Sequence, residues 1–304
     1  MAFTAKDVAE LRRQTGCGMM DCKNALVAAD GNFDEAIKVL REKGMAATAK
    51  KASRIAAEGI VDILTEGNVT AMVEVNSETD FVAKNESFRA FVRDILKAII
   101  ANRPADVDEL MTKKINDAQT VKEALEEKTF TIGEKLSLRR FIIIDGTVST
   151  YVHGLGATGV VVKFETNVAD HADFAEFAKN IALQVAAMPC LYVAKEDVPA
   201  SVLEEEKEIL LKQMEQDPKM AGKPAKVLEG IIAGKLGKYF EGNCLLEQAY
   251  VKEDNMKVGK YVAETAKALG GEIKVVAFYR YDKGEGLQKR EDNLAEEVAN
   301  MIKK

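Results

Sequence analysis

The chain has 304 residues, 47% of them hydrophobic, enough to bury a substantial core and to divide into two or more domains. Its formal net charge of -6 and pI near 5.3 argue against a general nucleic-acid binder, which needs a basic face to neutralise phosphates. No apolar run approaches the roughly 20 residues that span a bilayer, and the N-terminus mixes charge into every turn, so a cytoplasmic protein without membrane span or export signal is expected. Cys17, Cys22, Cys190 and Cys244 are scattered, and one C-x4-C pair without a second pair or a histidine cluster argues against zinc and fits reduced thiols.

Residues 4 to 44 read as three short helices. Thr4 with Asp7 resembles an N-cap and first-turn acid, and Val8 and Leu11 follow at helical spacing. "TGCG" breaks that helix. The next starts near Met19, with Cys22, Ala25, Leu26 and Ala29 on one face, and stops at Asp30-Gly31. The third turns Phe33, Ala36, Ile37 and Leu40 inward and is expected to end at Gly44. The pairs Arg12-Arg13 and Met19-Met20 have a bland reading, solvated charge and one buried methionine. A partner surface competes with it, because adjacent methionines cannot both point inward and methionine adapts well to interfaces. Residues 1 to 57 carry 10 Lys+Arg against 7 Asp+Glu, while the remainder is acidic, so head and body differ electrostatically.

The body contains a duplication. Residues from Glu58 onward align with those from Asp145 at an offset of 87, tightening to 86 in the helix. Gly59 meets Gly146, Gly67 meets Gly154, Val73 meets Val160 and Thr79 meets Thr166; beyond the loop, Phe88 meets Phe174, Phe91 meets Phe177 and Ile95 meets Ile181. Each copy reads as strand, tight turn, strand, loop and helix. "LSLRRFIII" (136–144) and "IKVVAFYRY" (273–281) supply a third strand to each. The implied architecture is α+β: two small antiparallel sheets, each covered by a helix.

The duplication isolates one stretch, "VEVNSETDFVAKNESF" (73–88). After the shared "ET" the second copy continues "NVAD", so Asp80 and Phe81 have no counterpart. A ring needed only to close the gap between strand and helix should recur at Val168. Its absence favours an exposed wedge on a loop tip, a usual form for an interface anchor, over a buried Phe81 with compensating changes elsewhere.

Residues 198 to 240 read as an antiparallel helical hairpin: Leu203, Leu210 and Met214 line one helix, and Leu228, Ile231, Ile232, Lys235 and Leu236 the other. Gly230, Gly234 and Gly237 are expected to permit close helix contact. The apolar faces either satisfy each other or also meet another protein. "REDNLAEEVANMIKK" reads as an amphipathic C-terminal helix with Leu294, Val298 and Ile302 in line.

No phosphate-binding loop or dinucleotide fingerprint occurs. "GLGATG" (154–159) reads as a hairpin turn, with His153 before it, and His171 reads as opening a helix. Glu74, Glu78 and Asp80 cluster and keep an acid-base hydrolase formally alive, yet no nucleophile, metal set or cofactor cradle accompanies them.

"LRRQTGCGMMDCKNAL" (11–26) and "EVNSETDFVAK" (74–84) resemble the two signature motifs of the bacterial elongation factor Ts family, and the resemblance extends over essentially the whole chain. It implies a ubiquitin-associated-like three-helix head with its linker (1–56), core subdomain N (57–145), core subdomain C with the hairpin at about 198–240 (146–282) and a C-terminal helical module (283–304). It also implies a guanine nucleotide exchange factor for the GTPase elongation factor Tu, without cofactor, catalytic chemistry or direct nucleic-acid contact. Carried over by motif, Asp80 would disturb the partner's magnesium and Phe81 would wedge between its side chains, with Thr79 and Val82 beside them. Arg12, Met19, Met20 and Lys23 would meet the GTPase's nucleotide domain. Ile132, Gly133, His153 and Val251 match stretches that face the partner, and the hairpin would be a dimerisation or secondary contact element. Two rival classes remain: an adaptor using the head alone, and the hydrolase on Glu74, Glu78 and Asp80.

Overall fold

The head begins with reciprocal capping. In the computed structural model, which describes residues 3–217 and 224–288, Thr4 Oγ1 accepts from the Asp7 N–H while Asp7 Oδ2 accepts from the Thr4 N–H at 2.6 Å. This starts α1 (Ala5–Thr15), which Gly16 ends in the left-handed region. Next come α2 (Met19–Ala28) and α3 (Phe33–Lys51), the latter capped by Asn32. Leu11, Cys22, Ala25, Leu26, Ala36 and Leu40 form the buried core between them.

The expected stop at Gly44 is overturned, because α3 runs through it to Lys51. Gly44 is buried, and a Cβ there would stand 3.5 Å from the Glu126 carbonyl and 3.8 Å from Phe130 Cβ. The glycine allows another helix to approach; it does not end its own.

After the head, β1 (Glu58–Glu66) pairs antiparallel with β2 (Val69–Ser77), from Glu58 opposite Ser77 to Glu66 opposite Val69. A short helix α4 (Asp80–Lys84) leads into α5 (Glu86–Asn102), then α6 (Val107–Thr112), α7 (Val121–Ile132) and β3 (Ser137–Asp145), giving the strand order β1-β2-β3. Strand periodicity sorts β2 cleanly. Ala71, Val73 and Val75 join Phe88, Phe91, Ile95 and Ile99 of α5 in one core, while Met72, Glu74 and Asn76 take the opposite face and are also buried. Burying each large side chain contributes about 1.5–3 kcal/mol.

The second copy supplies β4 (Val148–His153), β5 (Thr158–Thr166) and α8 (Phe174–Ala187). The insertion α9 (Ala200–Gln216) and α10 (Ala225–Asn243) follows, then the hairpin β6 (Ala249–Tyr250) and β7 (Glu253–Lys257), α11 (Val258–Ala268) and β8 (Ile273–Asp282); the sheet order is β4-β5-β8. Phe164, Phe174, Phe177 and Ile181 lie in its core. The duplication extends to backbone angles: Gly59 and Gly146 have φ of 114° and 104°, and Gly67 and Gly154 have φ of 58° and 57°. His171 precedes α8, its N–H bonded to the Val168 carbonyl in a turn. In α10, nothing among the described residues stands within 4 Å of a Cβ at Gly230, Gly234 or Gly237, so the described part of the hairpin makes no close contact there. The amphipathic segment 290–304 lies outside the described residues.

Two compact units result: the described residues up to Ile144 with Val152–Gly159 and those from Tyr281 on, and Asp145–Tyr151 with Val160–Arg280.

Within the first unit, Glu74 ties distant segments together. Its carboxylate, fully buried, accepts from Arg139 at 3.1 Å, Arg140 at 2.6 Å, Asn76 at 3.0 Å and the Gly284 N–H at 2.8 Å. Burial pushes the carboxyl up, and the hydrogen bonds from Gly284, Asn76 and the two arginines outweigh it, holding Glu74 below the ordinary 4.5. The folded state therefore binds this proton less readily than the unfolded chain, so the contribution is present above about pH 4.5 and fades as pH falls further. Chemical denaturation should show Glu74→Gln destabilised by about 2–4 kcal/mol at pH 7, the arginines being partly solvated, and the gap to wild type narrowing below pH 4.5. Gly59→Ala should cost about 3 kcal/mol, since its Cβ would meet the Val75 carbonyl at 2.1 Å; Gly146→Ala, which meets only the flexible end of Lys163, should cost about 1 kcal/mol in the same assay.

Candidate functional site

Phe81 is 78% exposed, the most exposed large apolar side chain among the described residues. Its position follows from the short helix carrying it. Successive residues of α4 turn by about 100°, and Val82 and Ala83 are buried in the sheet-helix core, so the ring one step before them faces water. Of the residues marked by the signature, Val82 therefore anchors the helix and Phe81 is presented by it.

The base of that helix is fastened twice. Thr79 donates through its N–H and hydroxyl to Glu134 at 3.0 and 2.7 Å, and Glu78 accepts from the Lys135 N–H at 2.6 Å. Arg54 also pairs with Glu78, at 3.1 Å, while Ser77 Oγ donates to the Thr79 carbonyl. Glu134 and Lys135 directly follow Gly133, which ends α7 with φ of 85°. The crossed ties thus hold the Asp80-Phe81 turn against the end of α7 that carries Ile132 and Gly133. An open groove of about 440 Å³ beside Phe81 is lined by Ile132, Lys128 and the head turn Thr15-Gly16.

Asp80 is half-exposed and bonds Lys84 Nζ at 2.5 Å. That hydrogen bond holds its carboxyl below the ordinary 3.8, with a smaller contribution from Lys283, so Asp80 is ionised at neutral pH. Lys84 Nζ also stands 5.8 Å from the centre of the Phe81 ring. One lysine therefore orients both candidates.

Both methionines of the Met19-Met20 pair point outward, Met19 at 46% and Met20 at 61% exposed, which removes the reading with one buried methionine. Helix α2 turns Cys22, Ala25 and Leu26 inward, leaving Lys23 exposed, and Arg12 is exposed on α1. His153 lies exposed at the end of β4, before a turn in which its carbonyl accepts from Gly156 and Ala157. Val251 belongs to the second unit, in the β6–β7 turn. There its N–H donates to Gln184 Oε1 at 2.8 Å, and the same buried glutamine donates to Gln248 and the Ala249 carbonyl.

The acid-base trio does not assemble. Glu74 is enclosed by its arginines, Glu78 holds the loop after α7 and Asp80 bonds Lys84. Sequence reasoning missed Glu134 as the support of Thr79. The signal was its place directly after Gly133, in a stretch already marked.

The sequence profile of the family described as Elongation factor TS matches residues 78–285. Over 308 residues, spanning all of both chains, the protein is 46% identical to "Elongation factor Ts" of Syntrophotalea carbinolica. It is likewise 46% identical over 305 residues, 99% of each chain, to "Elongation factor Ts" of Clostridioides difficile strain 630. Together with the α+β fold and its duplicated sheets, these matches establish that the chain belongs to the elongation factor Ts family.

Proposed function

We propose that the protein is a guanine nucleotide exchange factor that binds elongation factor Tu in the cytoplasm and promotes GDP release by disturbing its magnesium and phosphate site. The observation that carries this reading is the Asp80-Phe81 pair: an ionised carboxylate and an exposed aromatic ring on one helical turn, fastened through Thr79 and Glu134. A bound magnesium ion bridges phosphate oxygens and the GTPase's own ligands, so a nearby carboxylate and an inserted ring that shift those ligands loosen the nucleotide. In this reading Phe81 inserts and Asp80 perturbs the metal's surroundings. Val82 supports them from the core, Ile132 and Gly133 flank them, and Arg12, Met19, Met20 and Lys23 hold the nucleotide domain. His153 and Val251 add outlying contacts. Linkage is reciprocal: a protein that weakens GDP binding is itself weakened by GDP to the same factor, so the empty GTPase is held tightly and incoming nucleotide ends the contact. No acid, base, nucleophile or cofactor of this chain takes part.

Stopped-flow release of a fluorescent GDP analogue from elongation factor Tu, at fixed magnesium and excess unlabelled GDP, should accelerate saturably with this protein. Phe81→Ala should lower the acceleration about 30-fold, as loss of an interface anchor worth about 2 kcal/mol does, with an unchanged circular dichroism spectrum because the ring is exposed. Normal acceleration by the folded variant would remove Phe81 from the mechanism.

For self-association we propose the α9–α10 hairpin, on which Ile209, Leu211 and Val227 are exposed apolar residues. Sedimentation should then show a dimer that Ile209→Glu with Leu211→Glu converts to monomer; a monomer at all concentrations excludes this contact.

A further inference from the structure

A second hollow, also about 440 Å³, lies where α3 meets α7. That volume falls within the range of about 300–1,000 Å³ usual for small-molecule sites. The two helices approach closely at Gly44 and Glu126, and the hollow extends toward Ile37 on α3 and Ala118 before α7. Buried Leu40 and Cys17 and half-buried Ile37 and Phe130 give it an apolar lining. Burial pushes the Cys17 thiol up, so it serves as apolar wall with little thiolate for covalent chemistry.

The charged groups at its rim are unbalanced. Glu123, Glu126 and Glu127 face it from α7, Glu127 Oε2 accepting from Gln119 Nε2 at 2.5 Å, and Arg41 is the one cation among the described lining residues. Arg41 acts on Glu123, whose carboxyl is held low chiefly by hydrogen bonds from the Thr120 N–H and hydroxyl. Residues three and four apart share a helix face, so Glu123 with Glu126 and Glu123 with Glu127 are like-charge pairs, each disfavoured by about 0.2–0.5 kcal/mol. A single cation bound here would relieve both repulsions, whereas an anion would add to them.

We propose that this hollow binds a small amphipathic organic cation, its hydrocarbon body against Ile37, Leu40 and Phe130 and its ammonium group among Glu123, Glu126 and Glu127. Charge selects the sign of the ligand, and the lining selects an apolar body over a bare metal ion or a polyamine. The site is independent of the exchange reading, and its test needs no GTPase.

The probe is 4-phenylbutylamine, titrated into the full chain with methyl-labelled Ile, Leu and Met, with 4-phenylbutyrate as the same body bearing the opposite charge. Saturable shifts centred on Ile37, Leu40 and Met45 are expected for the amine. The butyrate and the variant Glu127→Gln should each bind about tenfold more weakly or worse, the scale of one lost charged contact. Ala118→Trp, at an exposed position on the rim, should abolish the shifts while leaving the unliganded spectrum otherwise intact. Absence of saturable binding by the amine, shifts centred elsewhere, or equal affinity for amine and butyrate would overturn the proposal.

Discussion

The first unit depends on one buried carboxylate. Strand alternation puts Glu74 on the face of β2 turned away from α5, where an unpaired charge would cost several kcal/mol. Two arginines from β3, an asparagine two residues along its own strand and a backbone N–H from the segment after β8 converge on it. The same segment is held again where Lys283 pairs with Glu58 and Arg140 with Glu285. The carboxylate thus joins three stretches of chain that have no sequence proximity. The pairing fixes which face of the strand is which, and with it the direction in which β2 delivers the chain to Thr79.

From that strand end the candidate surface is built by short-range means. Val82 and Ala83 decide the orientation of α4, Glu134 and Glu78 decide its position, and Lys84 organises the two exposed side chains. The head reaches the same neighbourhood because Gly44 lets α3 lie close to α7, whose far end is Gly133. Core, loop and head therefore converge on α7, which contributes residues to both hollows described above.

Most of this architecture could be read from periodicity. The duplicated strands and helices, the third strands and the exposed Phe81 follow from comparing the two copies, and the repeated positive φ angles of Gly59 with Gly146 and Gly67 with Gly154 explain why those glycines align. Gly44 shows why a glycine late in a helical pattern is ambiguous: it suits a C-cap and a close-packing site equally, and only the partner helix distinguishes them. The α10 glycines depart in the opposite sense, meeting no described residue where contact is expected. Glu74 resembled a candidate acid because its partners lie 65 and 210 residues away. No local pattern announces a pairing of that range.

The fastening of Thr79 has a consequence for the timing of association. A loop that orders only on contact loses its conformational freedom at that moment, which lowers the affinity left over from the contacts themselves. Here the turn is already hydrogen-bonded at its base and its ring has only two side-chain torsions to settle, so most of that loss is borne during folding. Encounter with a partner then becomes a matter of orientation more than of rearrangement. The protein accepts a hydrophobic ring standing in water throughout its free life as the counterpart of that readiness.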